Sequence, residues 1–91
     1  MRVWLNGAVV PAEAARIDPA DRGFMLGDGL FETIRVTAGH PCHLDRHLAR
    51  LSGGAAVLGI PLPMDAPAIA AGIASLLDET GLAEASVRLT L

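Results

Sequence analysis

The amino-acid sequence predicts an α+β fold with a mainly antiparallel sheet and two helices. Short alternating segments separated by turn dipeptides dominate the first half of the chain, which is typical of antiparallel hairpins. Two segments with helical apolar periodicity follow, and a last alternating segment comes after them. Apolar residues make up 52% of the 91 residues, so the chain has enough apolar surface for the core of one modest domain.

The first predicted elements form a tight hairpin. Arg2–Leu5 and Ala8–Val10 are short apolar strands around Asn6-Gly7, a dipeptide that tolerates positive φ at both turn positions. The next segment, Ala12–Ile17, fits either a helical turn or a short strand. Asp18-Pro19-Ala20-Asp21 then has aspartate and proline where a type I turn favours them.

The segment Gly23 to Val36 joins a glycine-rich turn to the most regular alternating strand. Phe24–Leu26 is expected to form an apolar knot in that turn, before Gly27-Asp28-Gly29. From Leu30 onwards, alternation places four residues on one face of the strand: Leu30, Glu32, Ile34 and Val36. The other face carries Phe31, Thr33 and Arg35. A carboxylate on a largely apolar face requires a partner or a functional reason, because burying an unpaired charge is costly.

The second half predicts one further turn, two helices and a strand. Ala38–Pro41 reads as a turn and Cys42–Leu44 as a short return strand. Asp45 is a candidate N-cap for a helix that extends to about Leu58. A bend or an early end is expected at Gly53-Gly54. The apolar stripe that faces the core consists of Leu48, Leu51, Ala55 and Leu58. Asp65 is a candidate cap for a second helix to Thr80, followed by Gly81, with a stripe of Ile69, Ile73, Leu76 and Leu77. Ser86 to Leu91 alternates as a final strand.

Composition excludes several classes of function. The net charge is −3 and all seven cations are arginines, so no broad basic face for nucleic acid is expected. Cys42 is the only cysteine, which rules out an internal disulfide and makes the cytoplasm the default location. No membrane span is expected, because Asp65 and three prolines, Pro61, Pro63 and Pro67, interrupt the longest weakly polar tract.

Two clusters resemble ligand sites but predict none. Gly27-Asp28-Gly29 leads into a strand, whereas a phosphate loop leads into the N-terminus of a helix. The second cluster contains four potential zinc ligands, His40, Cys42, His43 and His47. They form no closed four-ligand pattern, and the side chains of the adjacent strand residues Cys42 and His43 point to opposite faces. We expect no metal site and local hydrogen bonding instead.

Two arginines are candidates for anion binding. Arg50 projects from the interior of the first helix, where a guanidinium can bind a phosphate or simply share a solvated face with Arg46. Arg88 on the last strand can bind a substrate carboxylate or pair with Glu32 or Glu84. Spacing alone leaves both questions open.

These features together resemble the class IV aminotransferases, the fold-type IV pyridoxal-phosphate enzymes. That family includes branched-chain and D-amino-acid transaminases and aminodeoxychorismate lyase. The resemblance rests on the W-L-N-G hairpin, D-R-G-F-M-L-G-D-G-L-F-E-T-I-R-V, H-L-D-R-H-L-A-R-L and S-V-R-L-T-L, which follow the family's order along nearly the whole chain.

The resemblance implies roles for particular residues. Arg50 falls on the position that binds the phosphate of pyridoxal 5'-phosphate, and Glu32 falls near the cofactor and is the second cofactor-binding candidate. Phe31 lies where relatives place an aromatic in the substrate pocket, and Arg88 matches a pocket arginine of branched-chain transaminases. His47 recurs beside the phosphate arginine, where a structural role is expected. The resemblance also implies a homodimer and an amino-acid or aminodeoxychorismate-type substrate.

One departure from the family bears on catalysis. Family members form a Schiff base between the cofactor and a lysine, and these 91 residues contain no lysine. No catalytic residue is therefore predicted within them, and residues 1–91 are expected to be the small N-terminal domain, with the lysine in a C-terminal catalytic domain. The implied reaction transfers an amine from an amino acid, branched-chain or D, to a 2-oxo acid. The alternatives are aminodeoxychorismate lyase, which releases pyruvate to give 4-aminobenzoate, and a non-catalytic binding or dimerisation module.

Overall fold

The computed structural model describes all 91 residues, Met1–Leu91, as five strands and three helices. The strands are β1 (Arg2–Leu5), β2 (Ala8–Pro11), β3 (Phe31–Thr37), β4 (His40–Pro41) and β5 (Ala85–Thr90). The helices are α1 (Arg22–Leu26), α2 (Leu44–Leu58) and α3 (Ala66–Thr80), and Ala12–Ala14 forms a single 3-10 turn. Every strand pair is antiparallel, so the α+β prediction is confirmed, with one more helix than expected.

The central sheet has the order β4-β3-β5. Its middle strand β3 alternates strictly, with Glu32, Ile34 and Val36 buried and the residues between them exposed. This inner face packs against α2 and α3 to form the core, whose buried apolar residues are Ile34, Val36, Leu48, Leu51, Ile69, Ile73 and Leu77. The face predicted from alternation is therefore the one that the structure buries.

The hairpin of β1 and β2 forms a separate two-stranded sheet that packs on α3. Asn6-Gly7 makes the turn with φ of 50° and 100°, as the dipeptide predicts. The Trp4 ring lies directly against Gly72 of α3, where no side chain is present to displace it. Arg2 and Glu79 form an exposed ion pair at 3.8 Å. The glycine in α3 thus marks the site where the hairpin docks.

The prediction of an apolar knot at Phe24–Leu26 is wrong, because these residues form the last turn of α1. The Asp21 side chain caps this helix by accepting hydrogen bonds from the Gly23 and Phe24 amides at 2.8 and 3.4 Å. Gly27 ends it in the left-handed conformation with φ 68°. Capping at both ends stabilises this helix. Because it is short and contains a glycine, the sequence shows no helical repeat of apolar residues there.

The start of α2 also differs from the prediction. Ala38 and Gly39, with φ of 51° and 77°, turn the chain so tightly that the return strand is His40–Pro41, not Cys42–Leu44. His43 adopts φ 54° and serves as the N-cap without a side-chain bond. Asp45 is consequently not the cap but an acidic residue in the first helical turn, where its charge favours the positive helix end.

The two long helices otherwise follow the prediction. α2 continues to Leu58 without a break at Gly53-Gly54, although Leu58 is half exposed and does not join the core. The Asp65 side chain caps α3 by accepting from the Ala68 amide at 3.0 Å, and Gly81 ends it with φ 66°. No helix in the structure combines the length and the hydrophobicity required to cross a membrane.

Candidate functional site

Glu32 is the only ionisable residue among the ten buried residues of the chain. It lies on the inner face of β3 and points toward α2, where both of its carboxylate oxygens accept hydrogen bonds. Because a buried carboxylate is stable only when hydrogen-bond donors compensate for its lost hydration, these partners explain how the sheet accommodates an acid on its apolar face. The requirement that the sequence posed for Glu32 is thereby met by side chains of α2.

Arg50 is the main partner of Glu32. Its Nε donates to Oε1 and Oε2 at 3.0 and 3.1 Å, and its Nη2 lies 2.8 Å from Oε1. Although the Arg50 side chain is 73% exposed, two of its three nitrogens are thus held by one buried carboxylate. The Nη1 group has no protein partner and stays available to a ligand.

His47 is the second partner and lies one helical turn before Arg50. Its Nδ1 donates to Glu32 Oε1 at 2.8 Å, since a carboxylate that is ionised can only accept. The imidazole is mostly buried, with 19% of the side chain exposed. His47 and Arg50, three residues apart on one helix face, therefore hold the same carboxylate from two directions.

The electrostatic environment keeps Glu32 and Arg50 charged. The hydrogen bond from Arg50 lowers the pKa of Glu32 most, the bond from His47 lowers it further, and burial opposes both by a smaller amount. The same contact with Glu32 raises the pKa of Arg50. Glu32 is therefore an anion and Arg50 a cation throughout the physiological pH range.

An open cleft of about 310 Å³ lies on the outer side of this cluster. It is lined by four residues from the N-cap and the first two turns of α2, all with imidazole or guanidinium side chains: His43, Arg46, His47 and Arg50. A lining made only of such groups suits an oxyanion, because guanidiniums recognise phosphates and carboxylates through paired N–H donors. His43 and Arg46 are additional members that the sequence did not indicate as site residues.

Phe31 and Arg88 form a second cluster on the opposite, exposed face of the sheet. The guanidinium carbon of Arg88 lies 4.0 Å from the centre of the Phe31 ring, within the range of a cation–π contact. The Phe31 residue is 53% exposed. Of the two pairings considered for Arg88, neither occurs, since Glu32 binds α2 and Glu84 accepts from the Ala38 amide at 3.2 Å. Arg88 is thus held by an aromatic ring and not by an acid.

The candidate residues accordingly fall into two pairs, one on each face of β3. Glu32 and Arg50 meet on the inner face, whereas Phe31 and Arg88 meet on the outer face. Both pairs lie at the start of β3, where Phe31 and Glu32 are neighbours in sequence. Elsewhere, no three histidine, cysteine, aspartate or glutamate side chains gather in a group that could hold a metal ion.

Comparison with known proteins identifies the family. Residues 29–91, which include every residue discussed above as a site candidate, match the family model for amino-transferase class IV. The chain belongs to the class IV aminotransferase family. The resemblance inferred from the sequence motifs is therefore confirmed.

Relatives of three named activities resemble this class IV chain. It is 36% identical to D-alanine aminotransferase from Bacillus licheniformis over 86% of its own length. The crystal structure of 4-amino-4-deoxychorismate lyase from Pseudomonas aeruginosa covers 85% of the chain at 42% identity, with a TM-score of 0.71. That of a T.th. branched-chain amino acid aminotransferase, complexed with N-(5'-phosphopyridoxyl)-L-glutamate, covers 98% at 28% identity, with a TM-score of 0.87.

The matches cover only a fraction of each relative. The chain spans 28% of the D-alanine aminotransferase, 27% of the lyase structure and 31% of the branched-chain aminotransferase structure. Its fold is therefore that of one part of these class IV enzymes, and the α+β prediction agrees with them.

Proposed function

We propose that these residues are the small N-terminal domain of a pyridoxal-phosphate enzyme and that Arg50 binds the phosphate of the cofactor. The observation that carries the proposal is the Arg50 guanidinium, which is fixed on one side by Glu32 and has its Nη1 group free beside the cleft. An oxyanion fits this donor set, because the cleft contains imidazole and guanidinium groups and no carboxylate.

The chemistry itself requires more than these residues. When bound, pyridoxal phosphate supplies an electron sink for reactions at the α-carbon of amino acids. The enzymes of this family also need a lysine, and the 91 residues contain none. Relatives more than three times as long support a C-terminal domain that contributes the lysine and the remaining phosphate contacts. The role of this chain is then to bind and orient the phosphate end of the cofactor.

Phe31 and Arg88 are the proposed substrate contacts. The exposed Phe31 ring supports the Arg88 guanidinium, whose edges remain available for a carboxylate. Their position beside Glu32 at the start of β3, but on the other sheet face, is consistent with separate sites for cofactor phosphate and substrate. We therefore expect a carboxylate-bearing amino compound as the substrate.

Two reactions fit the family, transfer of an amine to a 2-oxo acid and elimination of pyruvate from aminodeoxychorismate. Sequence identity is higher to the Pseudomonas aeruginosa lyase, whereas the backbone is more similar to the branched-chain aminotransferase. Incubating the full-length protein with D-alanine or branched-chain amino acids and a 2-oxo acid, and separately with aminodeoxychorismate, distinguishes them. New amino acid in the first mixture supports transamination, and 4-aminobenzoate with pyruvate in the second supports the lyase.

The proposed role of Arg50 is tested by comparing pyridoxal phosphate with pyridoxal, which lacks the phosphate. In the full-length protein freed of cofactor, Arg50→Ala should reduce the preference for the phosphorylated form by about 10- to 100-fold, as expected for a charge-assisted contact. Arg16→Ala is the matched control, because Arg16 contacts only backbone carbonyls of its own loop. An unchanged preference in Arg50→Ala would refute the assignment.

A homodimer is also part of the proposal. α1 exposes three consecutive large apolar residues, Phe24, Met25 and Leu26, which are 73, 65 and 70% accessible. The Asp21 cap and an ion pair between Arg22 and Asp28 at 2.8 Å hold this short helix in place. A contiguous apolar surface of this kind favours burial against another protein surface, and a second copy of the chain is the occupant that the family resemblance suggests.

A further inference from the structure

The contacts of Glu32 indicate how it serves the anion cleft. Its carboxylate is buried, both oxygens are engaged by Arg50, and one also accepts from His47. This carboxylate is held by two side chains of α2, and it does not line the cleft. A direct contact between Glu32 and the cofactor, the role implied by the family resemblance, is therefore not what this geometry favours.

Arg50 needs such a partner because it is otherwise a mobile side chain. A free arginine samples many rotamers, and ordering it on binding has an entropic cost. Here the bonds from Nε and Nη2 to Glu32 fix the plane of the guanidinium before any ligand arrives. The Nη1 edge is then presented in one orientation.

His47 completes the arrangement. Its Nδ1 holds Glu32 Oε1 at 2.8 Å and so limits rotation of the carboxylate about its own side chain. The imidazole is packed in the partly buried space between β3 and α2, and Leu48 beside it belongs to the core. Glu32 and His47 in this way fix the orientation of Arg50 relative to the core of the domain.

We propose that Glu32 and His47 are positioning residues that preorganise Arg50 for an oxyanion, and that Glu32, which does not line the cleft, makes no contact with the oxyanion itself. This inference rests on the proposed phosphate-binding role of Arg50. The opposite possibility is that Glu32 competes with the phosphate for the guanidinium. Competition would require Glu32 to give up the Arg50 guanidinium while buried, which is strongly unfavourable.

The test measures the ratio of pyridoxal phosphate to pyridoxal affinity in the full-length protein freed of cofactor. Glu32→Gln should lower this ratio about tenfold, and His47→Ala should lower it about threefold. His47→Asn should restore most of the loss, because its side-chain amide can donate from nearly the position of Nδ1. Glu79→Gln, which alters an exposed acid paired with Arg2, is the control and should leave the ratio unchanged.

The ratio separates positioning from a general structural role, since a loosened fold would weaken both ligands equally. A double variant adds a second criterion: in an Arg50→Ala background, Glu32→Gln should have no further effect on the ratio. If Glu32→Gln does not fold, the His47→Ala and His47→Asn pair decides the question on its own.

Three results would overturn the inference. Tighter phosphate binding in Glu32→Gln would identify Glu32 as a competitor. An unchanged affinity ratio in both Glu32→Gln and His47→Ala would exclude a positioning role for the two residues. A ratio in His47→Asn that stays as low as in His47→Ala would exclude that role for His47. Each of these is distinguishable from failure of the proposed function, in which Arg50→Ala itself leaves the ratio unchanged.

Discussion

Replacing Gly72 with alanine should loosen the packing of the N-terminal hairpin on α3. A Cβ atom at this position would lie 2.7 Å from Trp4 Cδ2 and nearer still to Cε2 and Cζ2. Non-bonded carbon atoms prefer about 3.5–4.0 Å, so the indole would have to move by about 1 Å. Because the atoms that clash belong to a rigid ring, no rotation about a terminal bond can relieve the contact.

The expected magnitude follows from two opposing effects. Overpacking of this kind costs about 1–3 kcal/mol, whereas alanine in a helix interior gains about 1 kcal/mol over glycine. We therefore expect Gly72→Ala to lower the free energy of unfolding by up to about 2 kcal/mol. Gly53→Ala in α2 is the matched control: nothing lies within 4 Å of its added Cβ, and the change should stabilise the chain by about 0.5–1 kcal/mol.

Urea unfolding followed by circular dichroism measures both variants. Trp4 is the only tryptophan and the chain has no tyrosine, so its fluorescence reports the hairpin alone. In Gly72→Ala the folded-state emission should shift to longer wavelength as the indole becomes more exposed, and in Gly53→Ala it should not. Equal stabilisation by the two substitutions, with unchanged emission, would show that Trp4 does not pack on Gly72.

Three further predictions concern the site and its surfaces. The folded-state pKa of Glu32 is lowered from 4.5, so the stabilisation by its carboxylate is complete above that pH and is lost as the pH falls through the lowered pKa. The difference in unfolding free energy between wild type and Glu32→Gln should therefore shrink on acidification. A difference that widens would contradict this sign. In the full-length enzyme, Arg88→Ala should raise KM for carboxylate substrates about tenfold, and Phe31→Leu about twofold to fivefold through the lost cation–π contact; an unchanged KM would remove that residue from the substrate site. Phe24→Ser should shift a dimer toward monomer in sedimentation equilibrium, and an unaltered mass would place the dimer contact elsewhere.

Local patterns in the sequence predicted most of the secondary structure. Alternation from Leu30 to Val36 identified the buried face of β3, and Asp65 and Gly81 bounded α3 correctly, because these signals act over only a few residues. The errors occurred where a single backbone angle decided the outcome. His43 has a positive φ and is the N-cap, so α2 begins before Asp45. Two caps stabilise α1, which is too short for helical periodicity to be visible in the sequence.

The candidate site shows the same division more clearly. The sequence by itself determined the family, the chemical types available, and the fact that Glu32 would need a partner on an apolar face. It also indicated by helical spacing that Arg46 and Arg50 share one face of the first long helix. None of this required knowledge of how β3 and α2 pack, because composition, alternation and helical spacing are properties of neighbouring residues.

Only the tertiary structure decided which side chains meet. Arg50 pairs with an acid 18 positions away, and Arg88 stacks on a ring from the strand beside it, contacts that depend on the packing of α2 and the register of β3 with β5. Alternation had already placed Phe31 and Glu32 on opposite faces of β3, and the tertiary structure added which helix covers the Glu32 face and which side chains meet there. A buried carboxylate is stable only where the folded chain brings donors to it, which is why the partners of Glu32 became evident only from the packing of α2 on β3.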